Sequence, residues 1–596
     1  MCGIVGMVNG HPVARDLVTA LGRLEYRGYD SAGVAVAGPG FEVHKVIGGT
    51  TELMGKVGNG FAGHAGIGHT RWATHGRAEV RNAHPHVWEG VAVVHNGIIE
   101  NYHDLRGRMI AKGEKFESDT DSEVIPHLIA AARKAGAAPM EAVREACTEL
   151  HGAYAIAVLF QDVPDRVVVA RQGSPVMVAR GRHVAAVASD PSALSSLCDD
   201  YAALEDGDLA ELSNQGVTIF GRDGQLAQRC WQKVEGAEEE AAAGLFGSFT
   251  RAEIAAQPVA LRNTNEALAG RAIPQMIADA ERLVVVACGS SMYAASTVRP
   301  WIEKLTGLPC DLEIASEYRT REAPLSRGTV GILVSQSGET ADTMGVMEML
   351  KARNVPIVAV VNVQHSQMAR GADLLWPTMA GKEQGVAATK SFTCQMLALI
   401  RFGLALGLAR GTVTSGTLVA VERELAGLAV VCARAEMLEG QFEAVAERLV
   451  REGEALFIGR GSAAALANEG ALKLKELSYL RAEAYAAGEL KHGPIAMIRE
   501  GSPVIVCAGA GQHAGKSLAN AEEVRARGGY VIALVDDASA AAFAPVADEM
   551  IVLPGAGLGT LFAQAVAMQL IAVHAAVVLR HPVDRPRNLA KSVTVE

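Results

Sequence analysis

The chain has 596 residues, enough for about three or four domains rather than one core. Its 49% hydrophobic content with only 5% aromatics and 63 glycines describes cores of Ala, Val, Leu and Ile and many tight turns. A net charge of −11 argues against a nucleic-acid partner, which needs a basic face, and nine scattered cysteines without a CxxC pair exclude a disulfide framework or zinc ribbon.

Residues 1 to about 217 carry short alternating apolar runs, "GIVGMV", "AGVAVA", "VAVVHNG", "AYAIAVLF", "RVVVA" and "DLAELS". Period-two alternation predicts a strand-rich layer, with a helix over 122–136. The N-terminus lacks the charged-then-apolar pattern of a signal peptide, so a cytoplasmic, reducing setting is expected. An acidic, Ala/Gly-rich stretch at 233–248 reads as linker. From about 270 the pattern becomes strand, Gly/Ser turn, helix, and then recurs: Gly289 matches Gly461, Val334 matches Val506 and Asp373 matches Asp548, at offsets of 172, 172 and 175. A near-constant offset marks an internal duplication, and each copy reads as a parallel sheet with helices on both faces. The apolar stretch 561–579 contains two Gln and one His, which favours a buried helix over a membrane span. The expected boundaries are 2–217, a linker over 218–270, 274–413, 446–586 and a tail over 587–596.

Three groups of residues carry chemistry. The first centres on Cys2. If Met1 is removed, the thiol gains an adjacent α-amine of pKa about 7.7–8, which can take its proton and later return one to a leaving group. Asn96-Gly97 can supply a side-chain amide and a backbone N–H to an oxyanion. Arg71 can fork onto a carboxylate, and Asp121 can accept from an ammonium. Each has an ordinary reading as well: an inert terminal cysteine, a turn, a surface ion pair and a helix cap. The second group is "SQSGET" (335–340), which follows an apolar strand and opens a helix. Its hydroxyls and N–H groups make an uncharged phosphate cradle without a Walker lysine, or simply a capped helix. "ACGSS" (287–291) is its companion turn, and the second copy has "CAGAGQH" in place of "SQSGET". The third is "EGALKLKELSYLRAEAYAAGELKHGP" (469–494) with the C-terminal "PRNLAKSVTVE". Lys473 and Glu476 share a helix face, as an exposed ion pair also would. A carboxylate can move a proton between sugar carbons, His492 can open a ring near neutrality, and Lys591 can form an imine.

"CGIVG", "RLEYRGYDSAG", "GHTRWATHG", "HPHV", "VVHNGIIEN" and "SDTDSE" resemble the class II, N-terminal-nucleophile glutamine amidotransferases. The later stretches resemble the tandem sugar isomerase (SIS) domains of the glucosamine-6-phosphate synthase family. The resemblance implies an α/β and α+β multidomain protein: an N-terminal αββα glutaminase domain and two doubly wound, flavodoxin-like SIS domains. It implies conversion of D-fructose 6-phosphate and L-glutamine to D-glucosamine 6-phosphate and L-glutamate, with ammonia passed internally and no cofactor or metal. Cys2 would be the nucleophile, and Asn96 and Gly97 the oxyanion hole. Arg71, Trp72, Thr74, His75 and Asp121 would surround glutamine, with Trp72 gating ammonia and Arg27 in a loop near the nucleophile. Gly289, Ser290, Ser291, Ser335, Gln336, Ser337, Thr340, Val386 and Ala590 would hold the sugar phosphate. Lys591 would form the imine, Glu476 would shift the proton with Lys473 assisting, and His492 would open the ring. A homodimer through the SIS half is implied.

The sequence departs from the family at Ala252, where a lysine is common, at Ala388, where a serine is common, and at Ser290, in place of threonine. Two alternatives stay open: a paralogue acting on another sugar phosphate, and a non-catalytic SIS sensor. The sensor has no use for Cys2, Asn96, Asp121, Glu476 or Lys591. On the nucleophile reading, chains that retain Met1 hydrolyse no glutamine. Intact-mass spectrometry paired with a glutaminase assay checks this, and activity in a fully Met1-retaining preparation overturns it.

Overall fold

The computed structural model describes residues 2–57, 62–73, 75–234 and 244–593. The chain divides into two compact units, 1–238 with 592–596, and 239–591.

The first unit stacks two antiparallel sheets. One has eight strands in the order Trp231–Lys233, Asp200–Ala203, Met177–Arg180, Val184–Ala188, Gly3–Asn9, Ala65–Arg71, Ser31–Ala37, Phe41–Ile47. The other has six: Gly216–Phe220, Leu209–Ser213, Val167–Gln172, Gly152–Phe160, Val91–Ile99, His86–Trp88. The period of two explains the layering. In Gly3–Asn9, Ile4 and Val8 face the inter-sheet core with Ala155, Ala157 and Leu159 of the second sheet. Val5 and Met7 point the other way, onto Leu17, Val18 and Leu21 of the helix Ala14–Gly22. Tyr154, Ile156 and Val158 likewise leave the inter-sheet core and pack on Val124, Ile125 and Ile129 of the helix Val124–Lys134. The result is helix, sheet, sheet, helix, each sheet burying both faces.

The second unit holds two five-stranded parallel sheets of identical topology. The first runs Cys310–Ile314, Arg282–Ala287, Thr329–Ser335, Ile357–Val361, Leu374–Pro377. The second runs Arg481–Ala486, Glu454–Gly459, Pro503–Cys507, Tyr530–Asp536, Glu549–Leu553. Both follow the doubly wound order 2-1-3-4-5. The duplication is visible atom by atom. Asp373 donates its N–H to Ile357 O and accepts the Ile357 N–H (3.0 and 2.8 Å), while Asp548 does the same with Val531 (2.9 and 2.9 Å). Gly289 and Gly461 both sit at positive φ, 52° and 58°, where the first strand of each copy turns into its helix. One core joins the copies, containing Val285, Val298 and Phe402 of the first with Phe457, Leu474 and Phe562 of the second.

Two helices, Lys390–Ala409 and Leu558–Val578, are long and apolar enough to cross a membrane, and both are mostly buried within this unit. The glutamines of the second are paired there: Gln564 Nε2 donates to Ala508 O and Leu534 O (2.8 and 2.9 Å), and Gln569 Oε1 accepts from Gln257 (2.9 Å). These bonds hold the two buried amides.

The stretch 218–270 departs from the expected linker. Trp231–Lys233 is an edge strand of the first unit, and the helices Phe249–Ala255 and Gln257–Leu268 bury Ile254, Ala260, Leu261 and Leu268 in the second. Composition averaged over the window hid this short apolar stripe. Its most linker-like part, 235–243, lies outside the described residues. Asp584, just before the C-terminal tail, accepts from Phe249 N, Thr250 N and Thr250 Oγ1, and so caps the helix Phe249–Ala255.

That helix aims Glu253 inward, where it accepts from the N–H groups of Gln384 and Gly385. Burial and the nearby Glu383 carboxylate push Glu253 up from 4.5 to about 8. Between those two values the folded chain keeps a proton that the unfolded chain has lost, so this group makes stability fall as pH rises, fully so above about 8. Glu253→Gln cannot ionise. Its unfolding temperature is expected to gain several degrees on the parent between pH 5 and pH 8.5 by calorimetry. A constant difference across that range overturns the assignment.

Candidate active site

In the first unit the pairing of Gly3–Asn9 with Ala65–Arg71, Gly3 opposite Thr70 and Ile4 opposite His69, carries Cys2 to the end of the strand that bears Arg71. The half-buried Cys2 Sγ accepts the Trp72 N–H at 3.3 Å and faces Trp72 O at 3.6 Å. Burial pushes the thiol up, against the pull of the Trp72 N–H and the Arg71 guanidinium. Asn96 Nδ2 donates to Cys2 O at 3.0 Å. Gly97 lies at φ 137°, and a Cβ there would sit 1.9 Å from Ala153 O, so only glycine fits beside Asn96. Arg71 donates to the carbonyls of His75, Gly76 and Arg77, a short loop wrapped around its guanidinium. Asp121 is buried and accepts from Ile99 N (2.8 Å), and both Arg71 and Asp121 act electrostatically on Cys2.

Cys2, Arg71, Trp72, Asn96 and Asp121 are thus brought together. The Trp72 ring meets Tyr29 edge-on at 5.9 Å, and His75 meets Tyr102 at 5.6 Å. Thr74 lies outside the described residues. Arg27 pairs with Asp190 (2.8 Å) and also donates to Tyr26, contacts that anchor its loop to the turn at 190–194.

In the second unit, Arg282–Ala287 and Thr329–Ser335 are adjacent strands whose following helices leave on opposite faces, the crevice where doubly wound sheets bind ligands. Both candidate turns flank it. Ser335 Oγ accepts from Gly338 N (3.0 Å) and meets Thr340 Oγ1 (3.0 Å), and Ser337 Oγ accepts from Glu339 N (3.2 Å). Thr340 precedes the helix Ala341–Ala352 without capping it through its side chain, which removes the simple capping explanation for "SQSGET". Gln336 O accepts from Asn362 N (3.1 Å). Gly289, Ser290 and Ser291 form the first turn of the helix Gly289–Thr306. Val386 donates its N–H to Asp584 O (3.1 Å), and Ala590 sits in the tail beside Lys591. In the second copy Asp536 accepts from Ala510 N of the loop that replaces "SQSGET", from Ser539 N of its own following helix and from Thr560 Oγ1 (2.8, 3.0 and 3.2 Å), so a carboxylate takes one of the loop's N–H groups.

A buried charge cluster adjoins this crevice. The helix Ser462–Ser478 presents Lys473, whose Nζ lies 2.5 Å from Glu476 and 3.5 Å from Glu469. Burial pushes Glu469 up to about 7, with Lys473 and the Ser290 hydroxyl opposing. Lys473 is raised although burial works against its charge, because Glu469, Glu476 and Glu383 surround it. Glu383 pairs with Lys591 Nζ (2.5 Å) and accepts from both N–H and hydroxyl of Thr389 and of Ser391. Burial opposes its ionisation, yet Lys591 and Ser391 hold it at about 2. His492 is exposed at the end of the turn Ala487–His492, and among the described residues no hydrogen bond or ion pair joins it to this cluster.

Sequence reasoning missed Glu383, Glu469 and Asp584. Glu469 had a local signal, since it stands one helical turn before Lys473. Glu383 had none, because its partner Lys591 is 208 residues away.

The SIS domain family matches residues 276–403 and 448–579, and a glutamine amidotransferase domain family matches 70–196. A glutamine–fructose-6-phosphate aminotransferase [isomerizing] from Brucella suis biovar 1 (strain 1330) is 42% identical over 607 residues, spanning 100% of both chains. One from Bradyrhizobium diazoefficiens is 43% identical over 609 residues, also spanning 100% of both. A solved C-terminal domain of glucosamine-fructose-6-phosphate aminotransferase from Francisella tularensis is 34% identical, covers 56% of this chain and 97% of its own, and superposes with a TM-score of 0.54. Full-length identity and two domain matches that fall on the two units make the chain a member of the glutamine–fructose-6-phosphate aminotransferase (isomerizing) family.

Proposed function

We propose that the chain converts D-fructose 6-phosphate and L-glutamine to D-glucosamine 6-phosphate and L-glutamate. The observation that carries this reading is the placing of two lysines, Lys591 and Lys473, around buried Glu383 beside a hydroxyl-rich loop, in the same chain as the Cys2–Asn96 pair.

In the glutaminase half, Arg71 grips the α-carboxylate and Asp121 the α-ammonium of glutamine. Once Met1 is gone, the Cys2 amine takes the thiol proton as sulfur attacks the side-chain amide carbon. Asn96 Nδ2 and Gly97 N–H stabilise the oxyanion. The amine returns the proton to nitrogen, ammonia leaves, and water hydrolyses the thioester to glutamate. Trp72, Thr74 and His75 complete the glutamine pocket, and Arg27 holds a loop near it.

In the synthase half, Ser335, Gln336, Ser337, Thr340, Ser290 and Ser291, with the backbone at Gly289, Val386 and Ala590, hold the sugar phosphate. His492 opens the ring. Lys591 attacks the C2 ketone, releasing water as the imine forms, and ammonia then displaces the lysine. Glu476 carries a proton from C1 to C2, and Lys473 offsets its charge. Ammonia reaching bulk water would be protonated and diluted, so the reading requires guarded transfer from Cys2. We assign the domains to 2–217, 274–413, 446–586 and the tail 587–596, with a homodimer through the second unit, acting in the cytoplasm on small molecules.

Purified protein given both substrates is expected to form hexosamine phosphate and glutamate in equal amounts, and absence of the hexosamine overturns the reading. Cys2→Ala is expected to abolish glutamine-driven synthesis and spare ammonia-driven synthesis; loss of both means that the two chemistries are not separable. Borohydride reduction in the presence of fructose 6-phosphate is expected to fix the sugar on the parent chain and not on Lys591→Arg. Equal labelling of the two removes Lys591 from the imine role.

A further inference from the structure

Behind Asn96 the first unit buries four histidines, His69, His84, His86 and His95. His69 and His84 stack with ring centres 4.1 Å apart, and His84 Nδ1 accepts the His95 N–H at 3.1 Å. His69 points Nε2 at two atoms: the backbone carbonyl of His95 at 2.9 Å and Asn96 Oδ1 at 3.1 Å. Its Nδ1 is buried, with no hydrogen-bond partner among the described residues. Burial pushes His69 down to about 3, so the ring is neutral and carries a single N–H.

A carbonyl oxygen can only accept, so the contact with His95 O puts that hydrogen on Nε2. The Asn96 atom facing Nε2 must then be an acceptor as well, which is Oδ1. Flipping the Asn96 amide would set its NH2 against the His69 Nε2–H and its Oδ1 against Cys2 O, donor facing donor and acceptor facing acceptor, so both bonds of the buried amide would be lost. The unflipped amide sends Nδ2 the other way, to Cys2 O at 3.0 Å.

We propose that His69 is a positioning residue for the glutaminase reaction, acting through Asn96. By donating Nε2–H to Oδ1 it holds the Asn96 NH2 toward Cys2 before substrate arrives, so that the oxyanion donor needs no reorientation in the transition state. This rests on the assignment of Asn96 to the oxyanion hole. His69 does not touch the substrate, so its loss should leave glutamine binding intact and weaken what binds only the transition state.

The test is steady-state glutamine hydrolysis by the full chain. His69→Phe keeps a flat ring against His84 and removes the donor. It is expected to lower kcat about 100-fold, the lower end of what loss of one oxyanion donor costs, with KM changed less than about threefold. His69→Gln places an amide N–H near the position of Nε2 and is expected to recover at least about tenfold of that loss. His69→Asn, whose shorter amide falls short of Asn96, is expected to behave like His69→Phe. If His69→Phe does not fold, the Gln and Asn variants carry the comparison. The proposal is overturned if His69→Phe retains kcat within about threefold of the parent, or if the Gln variant is no better than the Phe or Asn variant. Asn96→Ala separates the two claims: unchanged hydrolysis there sinks the oxyanion assignment itself, whereas a large loss there with none in His69→Phe sinks only the positioning role.

Discussion

Glu383 carries a full negative charge in a place closed to water, and much of the second unit is arranged to let it do so. Five donors converge on its two oxygens: the N–H and hydroxyl of Thr389, the same pair from Ser391, and the Lys591 ammonium. A buried ion pair gains little over an apolar contact, but removing one partner strands the other at a cost of about 3–5 kcal/mol. That asymmetry ties the end of the chain to the loop before the helix Lys390–Ala409. Asp584, just before the tail, fastens this end of the chain to the helix Phe249–Ala255, and the ring of Tyr479, stacked on His581 (4.4 Å) and under Arg587 (4.3 Å), fastens it to the end of the helix Ser462–Ser478. The tail is irregular in conformation yet held at each of these points, so a lysine far along it is presented in one place.

Both candidate sites use strands and buried helices as rulers. In the first unit, antiparallel register sets Cys2 beside Arg71, and Ser31 opposite Arg71 brings the Asp30 loop to Ala73, whose N–H Asp30 accepts at 2.8 Å. In the second, parallel register brings two turns to one edge, and a helix from the other copy supplies Glu469 and Glu476. The cluster has more carboxyl groups than it can keep ionised. Glu253 is held at about 8 and Glu469 at about 7, while Glu383 stays ionised at about 2.

Period two in "GIVGMV" and "AYAIAVLF" was enough to place strands with one face in each core, and the offset between Gly289 and Gly461 was enough to reveal the repeat. Both are local or translational signals. What escaped were relations between distant segments. The helices inside 218–270 owe their existence to cores built 100 or more residues later in the chain, and window composition does not see them. Glu383 is one acid in a Gly-rich loop until Lys591 is placed against it. His69 lies in "GHTRWATHG", but its part depends on which of its nitrogens faces the His95 carbonyl, a relation between two strands.

Asp536 changes how many ligands the second unit should hold. A tandem duplication begins with two equivalent crevices and hence a capacity of two. Here the later copy engages the Ala510 N–H of its own loop with the Asp536 carboxylate, an anion supplied by the chain itself, while its helix Ser462–Ser478 sets Glu469 and Lys473 against Ser290 and Glu383 of the earlier copy. Each half has thereby become incomplete alone. On the proposed function, the stoichiometry is one sugar phosphate per chain, held in a crevice built partly from the later copy.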